Sequence, residues 1–446
     1  MEPDSVVPLP TYRCPGETDD ISLGVHLSRL SSFYHKCRLC EHRSDIARLA
    51  PVQQKQWQQL LLTPEPLRLF QTNGVRGLYL NQLTRNEASQ VAAAFAATLR
   101  EVVEIWRTRH PAPTSRWLKV VFGHDSRPSS PDLAIAAATT LRQQGCELID
   151  LGWSVRPQVE AVLREIGADG AFFVTGHGSS VGWNGFDLIG PDGVVWSQGG
   201  VLDLVEQRFH QSIPRPEREA APHTLRDATA ETLAILREDL HGLRPLRVSV
   251  QSKEPTLGKL FTASHPDWPG TLHFQQEGET PAEPFQPAGA YSGGGSAGAS
   301  PSRQSAPSSA DVIFHLGEDA RQCEMVDEAG HEVSAPRILF ALGELLLHEH
   351  PHVDVVLSDT MFDRCGWTVE RCGPGFLVFH RGGPTEEQLL RTMHSLNSPL
   401  GLDGEGRFWI RREGQVRCDA LLSLAMILKS LSRTDAPASH WSASPP

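Results

Sequence analysis

Apolar segments of strand length alternate with helical segments between residues 87 and 175, and this alternation constrains the fold more than any other feature. The strand-like segments are 118–122, 147–151 and 170–175. The segments with helical periodicity are 87–106, 131–144 and 158–166. Such alternation predicts parallel βαβ units with helices on both faces of the sheet. Ligands of such sheets bind beyond the carboxyl ends of the strands.

The whole chain is predicted to fold as consecutive α/β domains preceded by an extension. The expected divisions are an N-terminal extension at 1–65, α/β domains at 66–198, 199–333 and 334–433, and a disordered tail at 434–446. Further helices are expected at 26–34, 201–209, 230–238, 338–348 and 420–431, and further strands at 246–250, 312–314 and 353–357. Residues 287–309 are rich in Gly, Ser, Ala and Pro, which predicts a flexible insertion in the second domain.

Composition excludes several classes of partner. The 446 residues carry a formal net charge of -12, which argues against binding nucleic acid, since that affinity comes from Lys and Arg. No apolar run is long enough to span a bilayer, and residues 1–4 have no signal-peptide character, so no membrane association is expected. Eight scattered cysteines suit reduced thiols in the cytoplasm better than a disulfide framework.

One group of cysteines has the spacing of a metal site. Cys37 and Cys40 form a Cys-x2-Cys pair, which lets two thiolates hold one tetrahedral ion, and His42 follows closely. Cys14 is a further candidate ligand. The sequence therefore leaves two interpretations open, a structural Zn2+ site in the extension or a pair of reduced surface thiols.

Three glycine-containing loops are predicted at the ligand-binding edge of the first α/β domain. They read Thr72-Asn73-Gly74-Val75-Arg76-Gly77, Gly123-His124-Asp125-Ser126-Arg127-Pro128, and Val174-Thr175-Gly176-His177-Gly178-Ser179-Ser180. Backbone N–H groups near Gly176 and Ser179, together with Arg76 and Arg127, form a candidate phosphate pocket. The alternative is that both arginines pair with local carboxylates such as Asp125 and Asp187.

Together these loops resemble the first domain of the α-D-phosphohexomutases, the phosphoglucomutase and phosphomannomutase family. The family's loop reads Thr-Ala-Ser-His-Asn-Pro, and its serine carries the phosphate. His177 stands at that serine's place, seven positions before Asn184-Gly185, as the family spacing requires. Asp187 stands where the family commonly has lysine, and an anion there opposes a nearby phosphate. The resemblance extends over residues 69–431.

The resemblance also implies a Mg2+ loop, which the family writes Asp-Gly-Asp-Ala-Asp-Arg. Val326-Asp327-Glu328 anchors the match, so that the loop falls on residues 317–322. Only Asp319 keeps a ligand carboxylate there, and Arg321 places a positive charge at the third aspartate's position. Since Mg2+ requires oxygen ligands in near-octahedral geometry, this site is degenerate. Arg321 is expected to be either a surface residue or a direct phosphate ligand.

The family's sugar loop, Gly-Glu-x-Ser-Gly-His, falls on residues 402–407. Asp403 replaces the glutamate as an acceptor for sugar hydroxyls, and Arg407 replaces the histidine. The family's fourth domain carries an Arg-x-Ser-x-Thr-Glu-Pro type loop that holds the substrate's fixed phosphate. No such motif occurs in the chain, so a fourth domain is expected to be absent.

The resemblance implies an intramolecular phosphotransferase of carbohydrate metabolism by descent, with a hexose phosphate as the expected ligand. Three functions remain open from the sequence. The chain is a catalytically impaired member that still binds sugar phosphate, an active mutase with a non-serine loop that uses His177, or a scaffold for a protein partner. Retained phosphate, binding without turnover, or neither result would separate these three.

Overall fold

A computed structural model of the chain describes residues 11–62, 68–110, 115–180, 182–215, 217, 219–264, 270–276, 310–348 and 350–443. The chain divides into two compact units. The first comprises Met1–Ser154 with Val162–Arg226, and the second comprises Val155–Ala161 with Asp227–Pro446. Both units contain helices and β-sheets, which confirms the predicted α/β class. The predicted insertion at 287–309 lies outside the described residues.

The N-terminal extension forms a small, mostly helical part of the first unit. Its elements are β1 (Thr11–Arg13), β2 (Asp20–Ser22), α1 (Leu23–Ser31), a 3-10 helix (His35–Leu39) and α2 (Pro51–Leu62). Strands β1 and β2 pair in antiparallel fashion. Helix α1 begins after Ser22 because the Ser22 hydroxyl accepts a hydrogen bond from the backbone N–H of Val25, which is a standard N-cap.

Six strands form the larger sheet of the first unit. They are β3 (Val75–Leu78), β4 (Leu118–His124), β5 (Cys146–Trp153), β6 (Gly170–Val174), β7 (Trp183–Ile189) and β8 (His223–Leu225). Their order across the sheet is β3-β7-β6-β4-β5-β8. β4 pairs in parallel with β5 and β6, as the alternation predicts. β7 runs antiparallel to both β6 and β3, which the alternation does not predict.

Four helices accompany these strands along the chain. They are α3 (Arg85–Arg109), α4 (Ser130–Gln143), α5 (Arg156–Glu165) and α6 (Val201–Phe209). A capping box starts α3, in which Thr84 and Glu87 bind each other's backbone N–H groups. Gly145, at φ +79°, follows α4 and allows the chain to turn into β5, which is a common role for a glycine after a helix.

The first unit extends beyond the boundary expected at residue 198. Strand β8 joins the first sheet in parallel beside β5. Helix α6 buries Leu202 and Val205 in the same core as α3. The sequence places α6 at the start of a second domain because a helix alone does not reveal which sheet it covers. The division of the chain into three α/β domains stays a prediction.

The second unit contains two sheets. The first uses β9 (Arg247–Ser252), β10 (Thr271–Gln276), β11 (Val312–Leu316), β12 (Cys323–Asp327) and β13 (Glu332–Val333), in the order β10-β9-β11-β12-β13. β9 pairs in parallel with β10 and β11, whereas β12 and β13 continue the sheet in antiparallel fashion. Its helices are α7 (Thr229–Leu240) and α8 (Pro255–Ser264).

The other sheet has the order β15-β16-β14-β17-β18-β19. Its strands are β14 (His352–Leu357), β15 (Val369–Cys372), β16 (Gly375–Arg381), β17 (Leu400–Leu402), β18 (Phe408–Arg412) and β19 (Gln415–Arg417). The associated helices are α9 (Ala335–Leu347), α10 (Asp359–Cys365), α11 (Glu386–Ser395) and α12 (Ala420–Leu431). α12 has the predicted bounds, and it is apolar on nearly every face because it lies within the core of the unit.

Residues 434–443 are structured, so the prediction of a disordered tail over 434–446 is wrong for this part. Helix α13 (Ser439–Ala443) closes the described chain. Arg244 donates to the carbonyl of Thr434, and Arg337 donates to that of Trp441. The polar, Pro-containing composition predicts disorder. Composition does not reveal the anchoring arginines, because they lie far away in the sequence. Among the described helices, none is both long and apolar enough to cross a membrane.

Candidate functional site

Two of the glycine-containing loops meet at the carboxyl ends of β4 and β6, as predicted. The backbone N–H of Gly176 donates to Asp125 Oδ2 at 3.0 Å. The other oxygen of Asp125 accepts from the backbone N–H of Arg127 at 3.1 Å and from the hydroxyl of Ser130. Asn184 Nδ2 also donates to Ser130 Oγ, at 2.9 Å. Asp125 is buried, and it joins the loop after β4 to the loop after β6.

Arg127 holds the candidate loop through the loop's own backbone. Its Nη2 donates to the carbonyl of Ser179 at 2.9 Å, and its Nη1 donates to the carbonyls of Ser180 at 3.2 Å and Trp183 at 3.0 Å. A Cβ at Gly176 would lie 2.6 Å from the backbone carbonyl oxygen of Trp183 and 2.6 Å from Arg127 Nη1, so glycine is required here. The guanidinium group of Arg127 therefore donates to backbone carbonyl oxygens of the protein. An anionic ligand would have to take the place of these carbonyl oxygens.

Arg76 pairs with the carboxylate that the sequence offers as its alternative partner. Nη2 of Arg76 lies 2.7 Å from Asp187 Oδ1, and both side chains are largely buried. Arg76 also donates to the carbonyls of Val75 at 2.9 Å, Phe186 at 3.3 Å and His177 at 3.3 Å. Because Asp187 neutralises Arg76, the predicted phosphate pocket of the first unit is engaged by internal groups. Phosphate binding by Arg76 and Arg127 stays a prediction.

His177 lies in the turn that follows β6. Its backbone N–H donates to Thr175 Oγ1 at 3.0 Å, and its carbonyl accepts from Arg76. Gly178 continues the turn at φ +74°, a conformation that strongly favours glycine. The N–H of Ser179 donates back to the carbonyl of Gly176 at 3.0 Å. The structure thus brings His177, Gly176 and Ser179 into one loop, held by the two arginines.

In the second unit, the residues at the expected metal loop form a closed turn. Asp319 is buried, and its Oδ1 accepts from the backbone N–H of Arg321 at 3.0 Å. The N–H of Gly317 donates to the carbonyl of Gln322 at 3.0 Å. Arg321 is also buried, which corrects the expectation of a surface arginine. Arginine is seldom fully buried without a partner. The local hydrophobicity pattern does not show such a partner, so it does not predict this burial.

Arg321 is buried because it meets a carboxylate that the sequence analysis does not identify. Its Nη1 and Nη2 each lie 2.9 Å from an oxygen of Glu386, in the bidentate geometry that favours arginine. Arg407 Nη2 lies 3.0 Å from Glu386 Oε1, and Arg156 Nη2 lies 3.2 Å from Glu386 Oε2. Three guanidinium groups therefore converge on one buried carboxylate. We call Arg156, Arg321, Arg407 and Glu386 the arginine cluster.

The charge of this cluster is fixed by its own ion pairs. Burial alone would raise the pKa of Glu386, but the positive charges of Arg321, Arg156 and Arg407 outweigh it and hold the pKa well below its usual value. Arg156 also pairs with Glu160 at 2.9 Å, one turn further along α5. Glu386 thus remains an anion, and each arginine has a carboxylate partner within the unit.

The residues at the expected sugar loop also satisfy one another. Asp403 Oδ1 accepts from the backbone N–H groups of Glu405 and Arg407, each at 3.0 Å. Its Oδ2 accepts from Arg407 Nε at 2.7 Å and from Trp409 Nε1 at 3.1 Å. A carboxylate has about four acceptor positions. Four donors from the protein fill them, which leaves no free position for a sugar hydroxyl in this arrangement.

The residues present do not fit the Mg2+ ion that the family implies. Mg2+ requires several oxygen ligands in octahedral geometry. The loop offers Asp319, but the neighbouring Arg321 binds Glu386 through its guanidinium group, and its positive charge acts on Asp319. Within the described ranges, no group of three His, Cys, Asp or Glu side chains is arranged to hold a metal ion.

The sequence predicts a Zn2+ site from Cys14, Cys37, Cys40 and His42. The described residues do not support it, because no three of these side chains are arranged to hold a metal ion. The three cysteines are buried, but Arg29 Nη1 donates to Cys14 Sγ at 2.9 Å. A guanidinium group at a ligand sulfur opposes a second cation. The alternative of surface thiols is wrong as well, because the extension buries all three cysteines.

His42 lies among aromatic and acidic neighbours. Its ring packs edge-on against Tyr12, with the centroids 5.1 Å apart. Asp45 Oδ2 lies 3.9 Å from His42 Nδ1, and Glu41 Oε1 lies 3.5 Å from its Nε2. The ring therefore has local partners of its own.

Sequence reasoning misses the two residues that complete the arginine cluster. Glu386 follows Thr385 at the start of α11, where an acidic residue is ordinarily explained by the helix dipole. Arg156 precedes a proline and has no motif around it. Neither position carries a local signal, because their importance arises only from the packing of distant segments.

Comparison with known proteins gives the geometry a context. Residues 67–212 match the family described as phosphoglucomutase/phosphomannomutase, alpha/beta/alpha domain I. Phosphoglucosamine mutase from Frankia casuarinae is 26% identical over 394 residues, which cover 83% of this chain and 80% of that protein. Phosphoglucosamine mutase from a Parafrankia species is 28% identical over 407 residues, with coverage of 83% and 81%.

A solved structure is similar in fold over most of the chain. A phosphoglucomutase/phosphomannomutase family protein from Burkholderia thailandensis superposes with a TM-score of 0.64 at 16% identity. The match covers 85% of this chain and 80% of the other.

Proposed function

The chain belongs to the phosphoglucomutase/phosphomannomutase family, and from this membership we propose that it is a phosphohexomutase-like protein of carbohydrate metabolism with impaired catalysis. The impairment concerns Mg2+-dependent phosphoryl transfer, which requires positioning and charge neutralisation at the same time. The observation that carries the proposal is the bidentate pair between Arg321 and Glu386 at the expected metal loop.

The pair supports impairment because it affects both the expected metal site and the expected sugar loop. A buried guanidinium group stands where a metal-ligand carboxylate is expected, so that the turn repels a second cation. The same Glu386 engages Arg407 of the expected sugar loop, whose Asp403 already has four donors. Breaking a buried pair of this kind costs about 3–5 kcal/mol, which makes spontaneous opening for a ligand rare.

The histidine at position 177 adds a chemical argument. A mutase gives and retakes its phosphate nearly isoenergetically, whereas a phosphohistidine releases its phosphate much more readily than a serine ester does. The carboxylate of Asp187 also lies 2.7 Å from Arg76 Nη2. A phosphate that bound Arg76 would therefore be repelled by this carboxylate.

The test is a mutase assay on the full chain with Mg2+. Glucose 1-phosphate, mannose 1-phosphate and a glucosamine phosphate are the substrates, the last because similar proteins are phosphoglucosamine mutases. An active phosphoglucosamine mutase in the same assay serves as the positive control. We expect no turnover by the wild-type chain, and none by His177→Ser or by His177→Ser combined with Arg321→Asp.

A second candidate is an active mutase with a non-serine loop. It is favoured by the match to phosphoglucosamine mutases over 83% of the chain. Robust Mg2+-dependent turnover that is lost in His177→Ala would falsify the impaired assignment and establish this alternative.

Residual binding of a hexose phosphate at the first-unit loop is tested separately. Calorimetric titration of glucose 6-phosphate into wild type and Arg76→Ala distinguishes the outcomes. Weaker binding by the variant would place the ligand at Arg76. Equal binding would remove Arg76 from any site, and the absence of binding and turnover in both proteins would favour a scaffold for a protein partner.

A further inference from the structure

The N-terminal extension packs against the end of the candidate loop in the first unit. Trp57 and Leu60 of α2 lie in one apolar cluster with Leu78 of β3, and Trp183 packs against that cluster. A Cβ added at Gly182 would lie 3.2 Å from Leu60 Cδ1, so this contact is close. The extension is therefore part of the first unit, and it lies beside the loop that contains His177.

A cavity of about 650 Å³ lies between the extension and the segment that follows β3. Leu39 and Leu61 form an apolar part of the wall, and Asn81, from the segment after β3, also lines the cavity. Its volume falls in the range of about 300–1,000 Å³ that is typical of small-molecule sites. Leu39 is 80% exposed, so its side chain offers an apolar surface to a ligand.

The charged side chains that line this cavity are all positive. They are Lys36, Arg38 and Arg43, in a chain whose formal net charge is -12. Glu17 lies near them and pairs with Lys36 at 3.1 Å, but it also pairs with Arg29 at 2.8 Å. Its single charge is thus shared between two cations, and Glu17 is not among the residues that line the cavity.

The cations are positioned by local structure. Lys36 and Arg38 lie on the 3-10 helix, and Arg43 lies in the turns that follow it. Arg43 Nη1 donates to the carbonyl of Arg38 at 3.4 Å. The carbonyl of Arg43 in turn accepts from Trp57 Nε1 at 2.7 Å, which ties this segment to α2. The extension therefore presents its cations from an anchored segment.

We propose that this cavity binds a small organic phosphate, whose phosphate group contacts Arg38, Arg43 and Lys36 while its organic part lies against Leu39 and Leu61. Arginine recognises phosphate through paired N–H donors, and lysine adds a point charge. A cavity of this volume suits a phosphorylated metabolite better than bare phosphate or a peptide strand. The inference stands on this cavity and does not depend on whether the chain retains mutase activity.

The test is calorimetric titration of the full chain at low salt with three probes: glucose 6-phosphate, inorganic phosphate and glucose. We expect glucose 6-phosphate to bind more tightly than inorganic phosphate, and glucose not to bind. Arg43→Gln and Arg38→Gln should each weaken the binding of glucose 6-phosphate at least about tenfold, the effect of losing one charge-assisted contact. Arg48→Gln is the matched control, because Arg48 is an exposed arginine of the same extension that does not line the cavity.

The outcomes separate this site from the first-unit loop. Loss of affinity in Arg43→Gln and Arg38→Gln, with wild-type affinity in Arg48→Gln and Arg76→Ala, supports the cavity. Loss in Arg76→Ala alone places the ligand at the loop and overturns the inference, as does wild-type binding that survives in Arg43→Gln. Absence of binding to the wild type at millimolar glucose 6-phosphate overturns it too. Arg43 is exposed, so Arg43→Gln decides the matter if Arg38→Gln does not fold.

Discussion

At the scale of single residues, Glu386 has the largest expected effect on stability. Glu386→Gln keeps the size of the side chain but removes the negative charge shared by Arg156, Arg321 and Arg407. Three buried guanidinium groups then face a neutral amide. Because breaking a buried ion pair is strongly destabilising, we expect the free energy of unfolding to fall by about 3–5 kcal/mol. Urea denaturation followed by circular dichroism measures the change.

The control for this substitution is Glu413→Gln. The side chain of Glu413 is 72% exposed, and Arg417 Nη2 lies 4.0 Å from its Oε2. Exposed pairs of this kind contribute about 0–1 kcal/mol. A loss in Glu386→Gln no larger than that in the control would show that the cluster contributes little to stability.

Asp419 predicts a dependence of stability on pH. Burial raises the pKa of Asp419 from 3.8 to about 6, although the backbone N–H groups of Leu421 and Leu422 oppose the shift. Between pH 4 and 6 the folded chain therefore retains a proton that the unfolded chain has released. The free energy of unfolding should decrease as the pH rises through this window, by an amount on the order of 1–3 kcal/mol.

Asp419→Asn isolates this contribution. Asparagine caps a helix about as well as aspartate, so α12 keeps its N-cap while the titrating group is removed. Unfolding measured at pH 4, 5, 6 and 7 should show a flatter profile for the variant than for wild type. Parallel profiles would assign the slope to other groups.

The contrast between Asp403 and Glu386 shows what can be predicted at this scale. Asp403 and Arg407 are identified because they occupy a recognisable loop, and the structure places both in the same buried network. Their partner Glu386 belongs to another helix and has no motif. Sequence patterns record local spacing, whereas a buried ion pair depends on which distant segments meet.

At the scale of elements, the pairing of β3 with β7 depends on one glycine. A Cβ at Gly185 would lie 1.7 Å from the carbonyl oxygen of Val75, a distance that no side chain can occupy. Gly185→Ala should therefore separate the two strands and destabilise the first unit by about 3 kcal/mol or more. Thermal unfolding checks the expectation.

Gly24→Ala is the matched control for the glycine substitution. Gly24 lies in α1, and an added Cβ there would approach only Ser22 Oγ, at 3.9 Å. Alanine favours a helix over glycine by about 0.5–1 kcal/mol, so this variant should be neutral or slightly more stable. Similar losses in both variants would mean that close strand approach is not the cause.

Elements with strong local signals are predicted well. α12 is predicted from its apolar sequence with the bounds that the structure has, and β4, β5 and β6 are predicted as parallel strands. β7 is not identified as a strand, because its residues are first interpreted as part of the loop motif. Strand direction is decided by the path of the loop before β7, which periodicity does not encode.

At the scale of the whole molecule, the two units predict more than one unfolding event. Chains with several units commonly depart from two-state unfolding. In scanning calorimetry, Gly185→Ala should lower a transition of the first unit, and Glu386→Gln should lower a different one. A single transition that both substitutions shift equally would show that the units unfold as one.

The burial of the extension's cysteines has a consequence for chemical labelling. Cys14, Cys37 and Cys40 are at most 3% exposed, and burial raises the pKa of Cys37 to about 12. Since only a thiolate reacts quickly with a maleimide, these three sulfurs should remain unmodified while the extension stays folded. Cys365, the one cysteine that is not fully buried, should react first. Modification of Cys14, Cys37 and Cys40, read by mass spectrometry, would then report the opening of the extension, whose apolar cluster includes Leu78 of β3.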